Sequence, residues 1–95
     1  MADTREAEKL ELATIKFLRK MGFKDVNGGK EFFIGGRQID ACGGHENTLL
    51  IIECTTQKKI SSKIDTFRGR IQTFREDFKK HDIYKKYQKH KYILV

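Results

Sequence analysis

The stretch from Arg37 to Thr55 reads RQIDACGGHENTLLIIECT and predicts two strands joined by a turn. Its second half contains four consecutive apolar residues, 49–52, which is typical of a central strand covered on both faces. Glycine, asparagine and charged residues fill 43–47, so we expect the turn there. One acidic residue lies on each side of that turn, Asp40 before it and Glu53 after it. The stretch therefore predicts an antiparallel pair with a carboxylate on each strand.

The register of this pair decides whether the two carboxylates meet. If the hairpin is symmetric about the bond between Glu46 and Asn47, residue i faces residue 93 − i, and Asp40 faces Glu53. Opposed Cβ atoms lie about 5 Å apart, close enough for both carboxylates to hold one cation, and without it the like charges repel. An oxygen-only site suits Mg²⁺, with Mn²⁺ as a second candidate. The alternative is a pair of solvated acids at strand ends, which spacing alone does not exclude.

The residues before this stretch predict a helix and a hairpin. The helix covers 4–21, with Asp3 or Thr4 as its N-cap and Gly22 as its left-handed stop. A strand over 30–34, the turn Gly35-Gly36 and a return strand over 37–42 follow. Spacings of three and four along the helix predict that one line of residues faces the core. That line is Ala7, Leu10, Thr14, Phe17 and Met21, with Leu18 beside it.

The residues after this stretch predict a second helix and a last strand. The third strand runs over 48–55, and the helix begins near Ser62. An apolar residue every three or four positions predicts a helix seam packed on the sheet. The seam is Ile64, Phe67, Ile71, Phe74 and Phe78. Residues 82–90 fit either a short helix or a loop, and 91–95 reads as the last strand.

The predicted order is helix, strand, strand, strand, helix, strand. This indicates an α/β domain with a mixed sheet, in which three strands are antiparallel and a helical crossover leads to the fourth. Ninety-five residues correspond to one domain, covering 1–95. Because the chain ends on an apolar strand residue, we expect a domain excised from a longer protein.

Charge is unevenly distributed along the chain. Twenty basic and thirteen acidic residues give a net charge of +7, with −1 in residues 1–54 and +8 in residues 55–95. A basic half predicts a polyanionic partner, most often nucleic acid, although a solvated lysine-rich helix has the same composition. We expect a cytoplasmic, intracellular protein without a membrane span, since no signal peptide or long apolar run is visible. Two cysteines are too few for a disulfide scaffold.

The motif Ile39-Asp40, twelve residues, then Glu53-Cys54-Thr55 resembles that of the PD-(D/E)XK, or restriction-endonuclease-like, nucleases. The predicted order of elements is similar to the common core of that superfamily. The first helix also resembles that of Mrr-type restriction enzymes and Holliday-junction resolvases, which carries an acidic residue at the place of Glu11. The resemblance covers nearly the whole chain through short motifs in a shared order, and it implies a minimal restriction-endonuclease-like core.

The resemblance implies a role for several residues. Asp40 and Glu53 would be the metal ligands, the backbone carbonyl of Cys54 would add a ligand, and Glu11 would bind through water or a second metal. Thr55 departs from the pattern, because the family has a lysine there that stabilises the attacking hydroxide or the developing charge on the phosphate. Three lysines further along are candidates to replace it. They are Lys58, Lys59 and Lys63.

We therefore expect an Mg²⁺-dependent endonuclease that cleaves phosphodiester bonds of double-stranded DNA. Lys63 and a stripe of the second helix, Arg68, Arg75 and Lys79, would contact phosphates. A domain this small covers little DNA, so specificity requires a homodimer or a fused partner domain. One alternative is a catalytically degenerate nucleic-acid-binding module of the same fold. Another is an interaction domain whose basic half meets an acidic protein.

Overall fold

The computed structural model of the protein describes residues 4–54 and 60–95, with side chains for 6, 8–54, 65 and 68–95. Two helices flank a sheet of four strands in the order β1-β4-β5-β6, and β2 and β3 form a separate pair. β4 is antiparallel to both of its neighbours, and β6 runs parallel to β5. The predicted α/β class and mixed sheet are confirmed. The elements are α1 Thr4–Lys20, β1 Lys24–Gly28, β2 Phe33–Ile34, β3 Arg37–Gln38, β4 Ala41–His45, β5 Thr48–Glu53, α2 Ile60–Lys80 and β6 Lys89–Leu94.

The hairpin of β4 and β5 has the register that the sequence predicts. Its first and last pairs are Ala41 with Ile52 and His45 with Thr48, so each residue i faces 93 − i. The predicted turn over 43–47 is wrong in length, because β4 continues to His45. A Cβ at Gly44 would overlap the ring of Tyr87, so this glycine lets an aromatic ring pack on the strand.

The strand β1 has no counterpart among the predicted elements. Its sequence is KDVNG, a poor strand former whose single apolar residue, Val26, is buried. The pairing with β4 is irregular between Lys24 and Asn27, and Asp25 between them has a φ of 54°. Tyr87 donates a hydrogen bond of 2.7 Å to the Asp25 carboxylate, so a distant residue holds this irregular strand in place.

The first predicted hairpin is present but shorter than expected. Gly35 and Gly36 form its turn with φ values of 60° and 79°, as the sequence indicates. The strands predicted over 30–34 and 37–42 shrink to β2 and β3. The return strand breaks because the Gly29 N–H donates to the carbonyls of both Ile39 and Asp40. The chain therefore leaves the short pair at Ile39 and enters the main sheet at Ala41.

The α2 face of the sheet carries an aromatic core. Phe74, Phe78 and Tyr84 are completely buried there, packed with Leu49 and Ile51. The predicted seam is confirmed at the two phenylalanines, whereas the side chains of its first two members lie outside the described residues. The helix itself starts at residue 60 rather than near 62, and β6 starts two residues earlier than predicted.

The predicted core face of α1 is wrong, apart from Leu18 beside it, which is buried. Ile15 and Leu18 are the α1 residues that are buried against the sheet, whereas Phe17 and Met21 are 60% and 62% exposed. The helix is thus rotated by about a quarter turn from the predicted orientation. Its predicted stop is confirmed: Gly22 has a φ of 89°, and the Phe23 N–H donates to the Leu18 carbonyl in a Schellman motif. No helix in the described ranges is long and apolar enough to span a membrane.

Candidate active site

Asp40 lies where the chain enters the main sheet, and backbone from two strands holds it. Its side chain is buried, and the Cys54 N–H donates a hydrogen bond of 2.8 Å to Oδ2. On the other side, a Cβ at Gly28 would collide with the Asp40 carbonyl, so only glycine allows β1 to approach this closely. The backbone of Asp40 is therefore packed against β1, and its carboxyl group is bound at the end of β5.

Glu53 is the last residue of β5 and is also buried. One step beyond the pair of Ala41 with Ile52, the register of the hairpin brings Asp40 and Glu53 to the same level. Because Ile51 faces α2, alternation directs Glu53 to the α2 side as well. There its Oε1 lies 3.8 Å from Nη1 of Arg70, in an ion pair whose arginine side chain is 40% exposed.

The pKa of Asp40 is raised to about 7. Burial is the largest cause, and the negative charge of Glu53 is the second. The hydrogen bond from the Cys54 N–H opposes these effects because it favours the ionised form, while Glu11 raises the pKa further. The two acids predicted to face each other thus interact electrostatically, and near neutral pH the pair carries a partly bound proton.

Glu11 approaches the pair from α1. Its carboxylate accepts a long hydrogen bond, 3.5 Å, from Nε2 of Gln38, and it interacts with Asp40 through a hydrogen bond and through charge. Within the part of the chain that the structure describes, no three histidine, cysteine, aspartate or glutamate side chains form a metal-binding group. Glu11 therefore contacts the carboxylate pair without completing a three-residue ligand set.

Cys54 has two separate functional groups at this site. Its thiol faces α1, with Sγ 3.7 Å from Oγ1 of Thr14, and burial raises the pKa of the thiol to about 11. The thiol is thus protonated at neutral pH and a poor ligand for hard cations. The backbone carbonyl predicted as a ligand leads into 55–59, which the structure does not describe. That prediction stays open.

The structure supplies a cation that the sequence interpretation missed. Thr55, Lys58 and Lys59 lie outside the described residues, as does the side chain of Lys63. Arg70 instead forms the ion pair with Glu53. One signal in the sequence could have found it: Arg70 lies one turn before Phe74, at the border of the apolar seam of α2.

Two of the predicted phosphate-binding residues line a groove of about 460 Å³ between α2 and β6. Arg68 is exposed on the same helix but does not line the groove. The groove also lies at the opposite end of the sheet from the carboxylates, because Thr48 pairs with Lys89, whereas Glu53 pairs with Leu94. Its residues are Thr48, Arg75, Lys79, Gln88, Lys89, His90 and Lys91.

His90 also lines this groove, but its Nδ1 lies 3.1 Å from the Tyr92 hydroxyl and its Nε2 is buried. Its pKa is lowered, mainly by burial and further by the positive charges of Arg75 and Lys79. The ring is therefore uncharged at neutral pH. The groove thus carries four basic side chains, a set that suits phosphate oxygens.

Comparison of the chain with protein-family models, with curated proteins and with solved structures finds no significant match.

Proposed function

We propose that this chain is a metal-dependent nuclease domain of the restriction-endonuclease-like type, acting on double-stranded DNA. The observation that carries the proposal is the buried pair Asp40 and Glu53, two acids at one end of a hairpin, where burial and then the negative charge of Glu53 raise the pKa of Asp40. Burying two like charges lowers the stability of a fold, so a pair of this kind indicates a functional site. The site belongs to a chain with a basic second half, as an enzyme acting on a polyanion requires.

The order of elements supports the same proposal. Without the small β2–β3 pair, the chain runs helix, three strands, helix and strand, with the last strand parallel to its neighbour. This is the order that the resemblance to the superfamily implies. The β2–β3 pair is then an insertion between the first two strands of that core, and the carboxylates fall at the positions of the family motif.

The carboxylate pair fits a hard divalent cation. Mg²⁺ takes one or two carboxylates, keeps several waters and accepts phosphate oxygens, so two protein ligands suffice. Asp40 and Glu53 would hold the ion, and the Cys54 N–H would keep Asp40 oriented. When bound, the ion would lower the pKa of a coordinated water and polarise the phosphate. Neutralising the repulsion between the acids would also favour the ionised form of Asp40.

Arg70 is the residue we propose for the charge that Thr55 lacks. It reaches the site from α2, and its side chain remains 40% exposed while paired with Glu53. A guanidinium binds phosphate oxygens in a fork, so it would stabilise negative charge developing on the phosphate. Glu11 would orient Asp40 from the opposite side of the sheet.

The basic side of α2 and β6 would bind the DNA backbone. Arg68 and Lys79 are eleven residues apart on α2, about 16 Å along the helix axis, and Arg75 lies between them. The three side chains therefore follow one line of the helix, and the last two reach the groove. These contacts would position the DNA without reading its sequence.

A degenerate nucleic-acid-binding module of the same fold is the second candidate function. The ion pair of Arg70 with Glu53 favours it, because this pair already compensates one of the two acids without a metal. The absence of a lysine at position 55 favours it as well. In this case the basic groove keeps its role, and the carboxylates are remnants of an ancestral site.

Cleavage assays on duplex DNA separate these candidates. We expect cleavage with Mg²⁺ or Mn²⁺ and none with EDTA, and Asp40→Asn and Glu53→Gln should each abolish it. Glu46→Gln is the matched control, since this exposed acid lies at the turn end of the same hairpin. Cleavage that survives in both site variants would overturn the nuclease proposal.

Thermal unfolding gives a second readout that does not depend on activity. Mg²⁺ should raise the melting temperature of the wild type but not that of Asp40→Asn. If Mg²⁺ stabilises the protein and DNA is not cut, the degenerate module is favoured. In that case Thr55→Lys should create measurable cleavage, because it restores the charge that the family uses.

DNA binding is tested by its salt dependence. Replacing Arg68, Arg75 and Lys79 with glutamine should reduce the log–log salt slope by up to about three, because each lost phosphate contact releases about one counterion fewer. The control replaces Lys16, Arg19 and Lys24, which are exposed on the α1 side. An equal loss in both triple variants would exclude a binding surface on α2.

A further inference from the structure

We propose that the part of the sheet that α1 leaves open on its own face is a docking site for an amphipathic, negatively charged helix of another protein. The proposal is independent of the nuclease activity. α1 packs on β1 and β4, whereas α2 packs on the opposite face of the sheet. On the α1 side, the end of β6 therefore stays open, with Ile93 36% exposed and the following Val95 50% exposed.

An apolar groove of about 400 Å³ lies on this open part. α1 is its wall, and side chains of β5 and of the end of β6 are its floor. Large apolar side chains that lie together at the surface commonly mark an interaction site. The groove is lined by Ala13, Thr14, Phe17, Leu18, Phe23, Leu50, Ile52, Ile93 and Val95.

The wall of the groove carries a largely apolar line of α1. The line consists of Leu10, Thr14, Phe17 and Met21, which follow one another at spacings of four, three and four. The helix rests on the sheet through its other apolar residues, so this line is turned towards the groove, where Thr14 and Phe17 lie. Phe17 and Met21 are 60% and 62% exposed. Rows of side chains at these spacings are the ridges against which a second helix packs.

The open part has the dimensions of one helix. Neighbouring strands lie about 4.8 Å apart, so β5 and β6 offer a strip roughly 10 Å wide, which is the diameter of a helix with its side chains. The six residues of β6 extend over about 20 Å, a length that a helix covers with about 13 residues. A helix of about four turns in this position would contact Phe17 with its side and Leu50 and Ile93 with its underside.

The charges of α1 determine the kind of helix. Three exposed lysines form a stripe on the solvent side of the apolar line, at spacings of seven and four. They are Lys9, Lys16 and Lys20. Two of the three acids of α1 are engaged elsewhere, since Glu8 pairs with Lys30 and Glu11 interacts with the carboxylate site. A partner helix with acids beside its apolar stripe would therefore meet lysines.

A second copy of the chain lacks this complementarity. Its α1 would bring the same three lysines to the groove, and each chain carries a net charge of +7, so two copies repel each other. An acidic helix is attracted at the border of the apolar contact, and the same lysines select against basic helices. Such a helix would bind as amphipathic helices bind in grooves, through apolar residues at spacings of three and four.

Peptide binding tests the site directly. The probe is a synthetic, fluorescently labelled helix of about 16 residues, with leucines at spacings of three and four and glutamates beside them. Fluorescence anisotropy should show saturable binding of one peptide per wild-type chain. Phe17→Glu should weaken this binding about tenfold or more, because it removes an apolar contact and repels the glutamates. Leu12→Glu is the matched control, since Leu12 is 56% exposed on α1 but lies off the apolar line.

Two further comparisons make the test specific. The same peptide with lysines in place of the glutamates should bind about tenfold more weakly, and equal affinity would contradict the role of the lysine stripe. The double variant Arg75→Gln and Lys79→Gln should keep its affinity for the acidic peptide, since these residues line the basic groove between α2 and β6. Circular dichroism of each variant checks that the fold is retained.

Four results would exclude the docking site. The first is no saturable binding of the acidic peptide at concentrations up to about 1 mM. The second is an equal loss of affinity in Phe17→Glu and Leu12→Glu. The third is a loss of affinity in the double variant, which would place the peptide in the basic groove. The fourth is a wild-type chain that sediments as a dimer while Phe17→Glu sediments as a monomer, which would assign the groove to a second copy. None of these results depends on DNA cleavage.

Discussion

The two faces of the sheet differ in how completely they are covered. On the α2 face, Phe74, Phe78 and Tyr84 are fully buried, whereas on the α1 face Phe17 is 60% exposed and Ile93 is 36% exposed. Both helices carry apolar residues at spacings of three and four. Spacing of this kind therefore identifies an amphipathic helix, but it does not identify the surface against which the apolar stripe packs.

Residues from both helices, on opposite faces of the sheet, reach the carboxylate site. Arg70 reaches it from α2, and Glu11 reaches it from α1. The two residues bring opposite charges to the same pair of acids. Core substitutions on the two faces should therefore change the free energy of unfolding by different amounts. At the site, removing Arg70 should destabilise the protein, whereas removing the charge of Glu11 should stabilise it.

The largest expected difference between the faces is in stability. Phe74→Ala should lower the free energy of unfolding by roughly 3–5 kcal/mol, enough to unfold a domain of this size. Phe17→Ala, the same change on the open face, should alter it by less than about 0.5 kcal/mol under conditions that keep the chain monomeric. Urea denaturation measures both. Equal losses would mean that the two faces are covered alike.

The next largest change in stability is expected at Asp40. Because the pKa of Asp40 is raised to about 7 in the folded chain, stability is highest below pH 4 as far as this group is concerned, and it falls as pH rises towards 7. Asp40→Asn keeps an acceptor for the Cys54 N–H and removes this titration. At pH 8 without metal, the variant should be more stable than the wild type by roughly 1–3 kcal/mol.

The pH profile itself provides the control for this prediction. The stability difference between Asp40→Asn and the wild type should shrink as the pH is lowered from 8 to 4, because Asp40 becomes neutral in the folded wild-type chain and is only partly ionised in the unfolded chain. Thermal unfolding across this range measures it. A difference that does not change with pH would show that Asp40 is ionised throughout.

A smaller effect is expected from the α2 side of the site. Arg70→Gln should lower the free energy of unfolding by about 1 kcal/mol, because the buried Glu53 loses this ion pair while the arginine is itself partly exposed. Arg68→Gln, an exposed charge on the same helix, should cost less than about 0.5 kcal/mol. Urea denaturation at pH 7 compares the two, and equal values would show that the ion pair contributes nothing measurable.

The smallest effect is expected from the α1 side. Glu11→Gln removes a negative neighbour of Asp40, so the pKa of Asp40 should fall, and stability at pH 8 should rise by a few tenths of a kcal/mol. A carboxyl-carbon NMR titration measures the pKa directly. Glu8→Gln is the control on the same helix, because Glu8 pairs with Lys30 away from the site. A raised pKa in Glu11→Gln would contradict the arrangement.

Local sequence predicted the parts of the fold that depend on neighbouring residues. The apolar run 49–52 defines β5, the paired glycines 35 and 36 define a turn, and Gly22 ends α1. The register of the central hairpin, and with it the meeting of Asp40 and Glu53, is the one expected if the hairpin is symmetric about the bond between Glu46 and Asn47. Turn geometry and alternation act over a few residues, so one sequence suffices to read them.

Tertiary structure decided the rest, because the deciding contacts come from distant residues. β1 is a poor strand former that becomes a strand through Tyr87, which binds Asp25 across 62 positions. Gly44 belongs to a strand because a ring packs on it. Arg70 meets Glu53 only after α2 has folded onto the sheet. The rotation of α1 depends on which strands it covers, and periodicity within a helix carries no information about that choice.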